Sequence, residues 1–238
     1  RLVVSSWATV GNYDYGYYWY FYQDGSIEHE IKLTGIIQTK GVSDDEPSIT
    51  AHRVAKNLAG PIHQHFFSVR MDLDIDGVKN SVYEIDSVPL PADQNPHDNA
   101  FQAVQTLIGS ESESARTVNS HSARHWRVVN PDRFNAVGEP VAYGIFPGET
   151  CAMMAGADSS VGRRATFAQN QLWVTQFAPD ELYAAGDYPP QSAGGDGLPA
   201  FTAQERALEG EDVVLWYTVG VNHIVRPEDF PVGSVKNA

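Results

Sequence analysis

The sequence predicts an all-β protein, a large β-sandwich with few short helices. Short runs of aromatic and β-branched residues recur along the chain, and Asp-Gly and Pro-Gly pairs punctuate them. Helical periodicity is scarce. Many short strands with few helices are the pattern of two packed sheets.

Taken in order, Tyr15 to Tyr22 is almost solidly aromatic and meets the turn Gln23-Asp24-Gly25-Ser26. Ile27, His29, Ile31 and Leu33 then alternate with polar residues, which predicts a hairpin. A second hairpin is predicted from His63 to Ile75, the turn Asp76-Gly77 and the return from Val78 to Ile85. Further strands are expected over His121 to Val129, Val141 to Phe146 and Val213 to Val221. Phe101 to Ile108 and Thr202 to Leu208 each fit two helical turns, and Gly186 to Gly197 reads as a surface loop. No internal repeat is visible.

With 238 residues, 42% of them hydrophobic, and five Trp, eleven Tyr and ten Phe, the chain can fill a sizeable core. No stretch approaches the roughly 18 to 20 apolar residues of a membrane-spanning helix, so no membrane partner is expected. Thirty acidic against 16 basic residues give a net charge of −14. Such a surface repels phosphate backbones, which argues against nucleic acid, and favours the approach of protonated amines. The single cysteine, Cys151, permits no intrachain disulfide, reads as a small buried residue and leans towards the cytoplasm. Arg1 to Val4 run straight into Ser5 and Ser6 without the features of a signal peptide, like the middle of a domain that starts upstream.

Split by parity, the segment from His63 to Ile75 places His63, His65, Phe67, Val69, Met71, Leu73 and Ile75 on one strand face. Gln64, Phe66, Ser68, Arg70, Asp72 and Asp74 fall on the other. Two histidines two residues apart on a strand can share one metal ion, and imidazole suits copper, zinc, iron and nickel. Read alone, an isolated His-x-His is more often just two histidines. A third candidate is His223, at the end of the alternating face Val213, Leu215, Tyr217, Val219, Val221. A buried imidazole there needs a partner. His29, His52, His97, His121 and His125 lie on polar faces or in loops and read as solvated or hydrogen-bonded residues.

The stretch Thr9-Val10-Gly11-Asn12-Tyr13-Asp14 resembles the Thr-x-x-Asn-Tyr-Asp/Glu signature of the copper-containing amine oxidases. The resemblance extends to His63-Gln64-His65, about 50 residues further on, and to Val221-Asn222-His223 near the end. Gly60-Pro61-Ile62 and His223-Ile224-Val225-Arg226-Pro227-Glu228-Asp229 also look like the family, so the likeness covers Arg1 to about Val232. It implies the C-terminal part of an amine oxidase catalytic domain, with residues 233–238 as an unmatched tail.

What the resemblance implies is specific. Tyr13 becomes topaquinone, with Asn12 beside it, and His63, His65 and His223 hold Cu(II). A second cation, calcium by its oxygen ligands, falls to Asp72, the carbonyl of Leu73, Asp74, Asp212 and the carbonyl of Val213. The activity is oxidation of a primary amine by dioxygen to aldehyde, ammonia and hydrogen peroxide, in a homodimer whose arms could end at the Asp24-Gly25 and Asp76-Gly77 turns.

Two departures stand beside the likeness. The family's catalytic base lies far upstream of the quinone tyrosine, outside this chain, and Asp14 points to the wrong strand face to replace it. The ending Gly233-Ser234-Val235-Lys236-Asn237-Ala238 reads as a truncation, a frameshift or an artificial end. Two alternatives remain open at this point. A cupin-type dioxygenase also uses His-x-His but adds a glutamate four or five residues later, where this chain has Val69 and Arg70. The other is a degenerate copper-binding module without turnover.

Overall fold

Antiparallel strands dominate the regular structure of the computed structural model, which describes residues 1–44 and 48–238. In chain order the strands are β1 (Leu2–Val10), β2 (Tyr13–Phe21), β3 (Ile27–Ile36), β4 (Lys40–Gly41), β5 (Ala51–Ala55), β6 (Leu58–Pro61) and β7 (His63–Asp72). There follow β8 (Ser81–Pro89), β9 (Phe101–Leu107), β10 (His125–Phe134), β11 (Pro140–Ile145), β12 (Leu172–Gln176), β13 (Val213–His223) and β14 (Val232–Asn237). Two one-turn helices, α1 (Ser160–Arg164) and α2 (Leu198–Thr202), are the α-helical elements among the described residues. The all-β expectation holds.

The chain divides into two units. The first comprises Arg1–His65, Glu149–Cys151 and Val221–Ala238. Its main sheet has the order β1-β2-β3-β14, and a small sheet has the order β4-β6-β5. Gly11 and Asn12 connect β1 to β2, whose register runs from Leu2↔Phe21 to Val10↔Tyr13. Gly11 supplies the positive φ (61°) that a two-residue hairpin turn needs at its first position. The aromatic run folds back as expected: β2 pairs with β3 from Tyr13↔Gly35 to Phe21↔Ile27, around the Asp24-Gly25 turn. Residues 233–237 belong to β14, which lies against β3 with a bulge between Gly233 and Lys236.

The second unit, Phe66–Gly148 and Ala152–Gly220, holds two sheets, β11-β10-β8-β9 and β12-β13-β7. Their facing sides share one core, with Val82, Trp126 and Val128 from the first sheet and Leu172, Val174 and Leu215 from the second. The other side of β13 is covered as well, where Val214 and Trp216 pack with Trp173, Leu198 and Phe201. A strand buried on both faces has no use for polar alternation, and Val213 to Thr218 are all buried.

Several sequence-based expectations are corrected here. The segment from His63 to Ile85 is not a hairpin, because β7 and β8 lie in different sheets. Asp76 and Gly77 (φ 52° and 135°) sit in the sheet-to-sheet crossing instead. Asn80 fixes that crossing by accepting from the Ile75 N–H at 3.0 Å and donating to the Gly77 carbonyl at 3.0 Å. Asp76-Gly77 is therefore no hairpin tip. The segment from Phe101 to Ile108 is not a helix: Phe101–Leu107 form β9, whose backbone is satisfied by a continuous ladder to β8 from Pro89↔Phe101 to Tyr83↔Leu107. Thr202 to Leu208 is not helical either: α2 ends at Thr202, Glu205 turns left-handed (φ 56°), and the Arg206 N–H donates to Glu111. The strand read from His121 begins only at His125, because Ala123 (φ 48°) breaks the chain before it. Finally, the polar face expected along β7 is not exposed. From His63 to Arg70 every residue is half-buried, and the in–out alternation appears only over residues 71–75.

Candidate metal centre

The three histidines singled out in the sequence converge. His63 and His65 open β7 and His223 closes β13, and all three belong to the first unit. The His63 ring lies 4.7 Å from that of His65 and 4.8 Å from that of His223, centroid to centroid. One nitrogen from each ring lies within 4.8 Å of the others.

Hydrogen bonds set the tautomers. A carbonyl oxygen can only accept, so the 2.9 Å contact from His63 Nδ1 to Pro61 O puts the proton on Nδ1 and turns the Nε2 lone pair inward. His65 Nδ1 is 2.9 Å from the Tyr15 hydroxyl. His223 Nε2 is 3.6 Å from Oδ2 of the buried Asp229, which Arg226 grips from its side chain and its backbone N–H. Nε2 of His63 is buried and has no hydrogen-bond partner among the described residues, whereas Nε2 of His223 faces Asp229. A buried imidazole nitrogen without a partner, beside two further imidazoles, would be a costly arrangement unless an ion completes it. The residues present thus fit an imidazole-ligated metal ion, copper among them. Burial first, then His63, His223 and Lys236, push His65 down to about 4, and burial likewise lowers His223. Both rings are held in the neutral form that ligates metal.

Tyr13 stands over this cluster from β2. Its ring centroid is 5.0 Å from His65, 5.5 Å from His63 and 6.3 Å from His223. Its hydroxyl accepts from the Gln38 backbone N–H at 3.1 Å, and burial raises its pKa. Tyr13, Gly35, Ile37, His65, His223 and Lys236 line one cavity. Asn12 is adjacent but turned away, donating to the Gln38 side chain at 3.1 Å. Asp14 accepts from the Thr9 hydroxyl at 2.5 Å and is not among the cavity residues.

Asp72, Asp74 and Asp212, in the second unit, also meet, with their carboxylates within 4.8 Å of one another. Burial and the like charges of Asp72 and Asp74 raise Asp212. The Leu73 carbonyl accepts from Ile75 N–H at 3.1 Å, leaving one lone pair, and Val213 pairs with Gln176 in the ladder.

Sequence reasoning missed four residues at the histidine cluster. Tyr15 shares the parity of Tyr13, so its place on the same face was readable. Gln38, Asp229 and Lys236 come from a loop, a short turn and a bulged edge strand, where no periodic pattern announces direction.

Comparison with known proteins decides the family. The whole chain, residues 1–238, matches the copper amine oxidase enzyme domain. This chain belongs to the copper amine oxidase family. It is 48% identical over 236 residues to a histamine oxidase of Arthrobacter globiformis, covering 99% of this chain and 34% of that protein. It is 44% identical over 239 residues to a primary amine oxidase of Arthrobacter sp. (strain P1), covering 100% of this chain and 37% of that one. A crystal structure of a copper-containing benzylamine oxidase from Hansenula polymorpha superimposes with a TM-score of 0.92 at 31% identity, over 99% of this chain and 37% of the other. The chain thus spans about a third of the length of the curated relatives it matches. Membership of a copper amine oxidase family sets the cupin reading aside.

Proposed function

We propose that the protein is a primary-amine oxidase in which His63, His65 and His223 hold Cu(II) and Tyr13 is the precursor of topaquinone. The observation that carries this reading is the Tyr13 ring 5.0 to 6.3 Å from three imidazoles, two of which, His65 and His223, share a cavity with it. Copper there would activate dioxygen to oxygenate the adjacent phenol, and the resulting quinone would supply an electrophilic carbonyl for the amine. The chain's own residues set the conditions. His63 Nδ1–H is fixed on Pro61, His65 on Tyr15, and the Gln38 N–H anchors the Tyr13 hydroxyl. Gly35 brings its backbone against Tyr13 because it has no side chain there: a Cβ would lie 2.8 Å from Tyr13 Cα and 2.6 Å from Asn12 O.

Relatives named for histamine and for primary amines support a primary amine as substrate, and the net charge of −14 favours a protonated one. The same reading includes a calcium ion on Asp72, Asp74 and Asp212 with the Leu73 and Val213 carbonyls, and a homodimer, which light scattering on the purified protein checks. The test of the function is titration with phenylhydrazine after loading with copper in air. One adduct per chain, on residue 13, is expected; a copper-loaded protein that takes up none is a copper-binding module without turnover.

A further inference from the structure

His63 and His223 sit at the very ends of their strands, and His65 lies two residues inside. β7 begins at His63 and β13 ends at His223, so the backbone ladder that would hold the two strands in register stops where the ligands are. Strand ends open more readily than strand centres. A metal site nevertheless needs its ligands held to about half an ångström.

The neighbours of the ligands are joined by side chains. Gln64, between His63 and His65, sends its side chain off the opposite strand face. Its Nε2 donates to the Asn222 Oδ1 at 2.7 Å, and Asn222 directly precedes His223. The second hydrogen of the same amide goes to Cys151 Sγ at 3.4 Å. All three partners belong to the first unit.

We propose that Gln64 and Asn222 form a side-chain clamp, backed by Cys151, that fixes the two strand ends bearing the histidines and so sets the affinity of the copper site. Both are positioning residues, since neither offers an atom to the ion. The proposal rests on the copper site proposed above. Supporting groups behind metal ligands typically contribute 10–100-fold in affinity, and a bond between the residues flanking two ligands acts on both at once.

The experiment uses the full chain and four variants: Gln64→Met, Asn222→Leu, the two combined, and Asn222→Asp, which keeps an acceptor oxygen for Gln64. Cu(II) affinity is measured by competition with a chelator, alongside the Cu(II) EPR spectrum and the melting temperature of the metal-free protein. Gln64→Met and Asn222→Leu should each weaken copper 10–100-fold and shift the EPR spectrum, with the metal-free melting temperature unchanged. The double variant should be no worse than the poorer single one, and Asn222→Asp should keep at least the parental affinity. If Asn222→Leu does not fold, Gln64→Met alone decides. Affinities within about twofold of the parent, or losses that follow the metal-free melting temperature, overturn the clamp. A parent that binds no copper at His63, His65 and His223 overturns the clamp and the copper site together.

Discussion

Opposite Tyr13 in the sheet stands Gly35, at φ 112°, with no room for a methyl group beside the Tyr13 backbone. Gly35→Ala is therefore expected to cost roughly 1–3 kcal/mol, read as a lower melting temperature, and to reduce the yield of modified Tyr13. Tyr13→Phe keeps the ring and loses the hydroxyl that Gln38 anchors, a loss of about 1 kcal/mol. Copper stoichiometry should stay at the parental value, while reaction with phenylhydrazine disappears. A Tyr13→Phe protein that still forms the adduct would move the quinone to another residue. At this scale the sequence was informative wherever a motif or an alternation placed a side chain: Tyr13, His63, His65 and His223 meet in space. It was silent where a bend aims the side chain, as at Gln38 and Asp229.

Among the elements, β13 carries the second unit, buried on both faces, whereas every residue of β1 is exposed. Leu215→Ala should cost about 2–5 kcal/mol, and Val4→Ala within about 0.5 kcal/mol, measured by chemical denaturation. Equal costs would contradict the core assignment. Between β8 and β10, Trp126 donates to the buried Glu84 at 3.2 Å, and Arg124 spans Glu84 and Asp86. The Arg124 side chain, then Ser122, hold the Asp86 carboxyl below its usual 3.8. An acid with a depressed folded pKa contributes stability above its unfolded value and loses it as pH falls through the folded one. Acid unfolding should thus include a loss below about pH 4 that is absent in Asp86→Asn; matching pH profiles of parent and variant would contradict this. Strand existence was legible from aromatic and β-branched runs, but partners were not. Phe101, Val104 and Ile108 share helical spacing, yet the ladder to β8 prevails. The Asp76-Gly77 pair looks like a hairpin tip although it joins two sheets, because local turn chemistry does not say which sheet the next strand enters.

For the whole molecule, all-β architecture followed from the pattern of runs and punctuation, whereas the sheet orders and the two-unit division depend on long-range pairing that no local signal records. The carboxylate cluster extends the account beyond the histidine cluster. Asp212 is raised by burial and by Asp72 and Asp74, so without a cation the ionised cluster works against folding. Calcium should raise the melting temperature of the parent and leave Asp212→Asn unmoved. Without calcium, Asp212→Asn should be at least as stable as the parent. Equal calcium responses in the two proteins would remove the second site. The central claim, that copper at three histidines converts Tyr13, is tested most directly by mass. The protein is made without copper, exposed to Cu(II) in air, and the tryptic peptide from Leu2 to Lys32 is weighed. The expected result is a gain of two oxygens and loss of two hydrogens at Tyr13, dependent on copper. An unmodified Tyr13 in a folded protein with copper bound would contradict it.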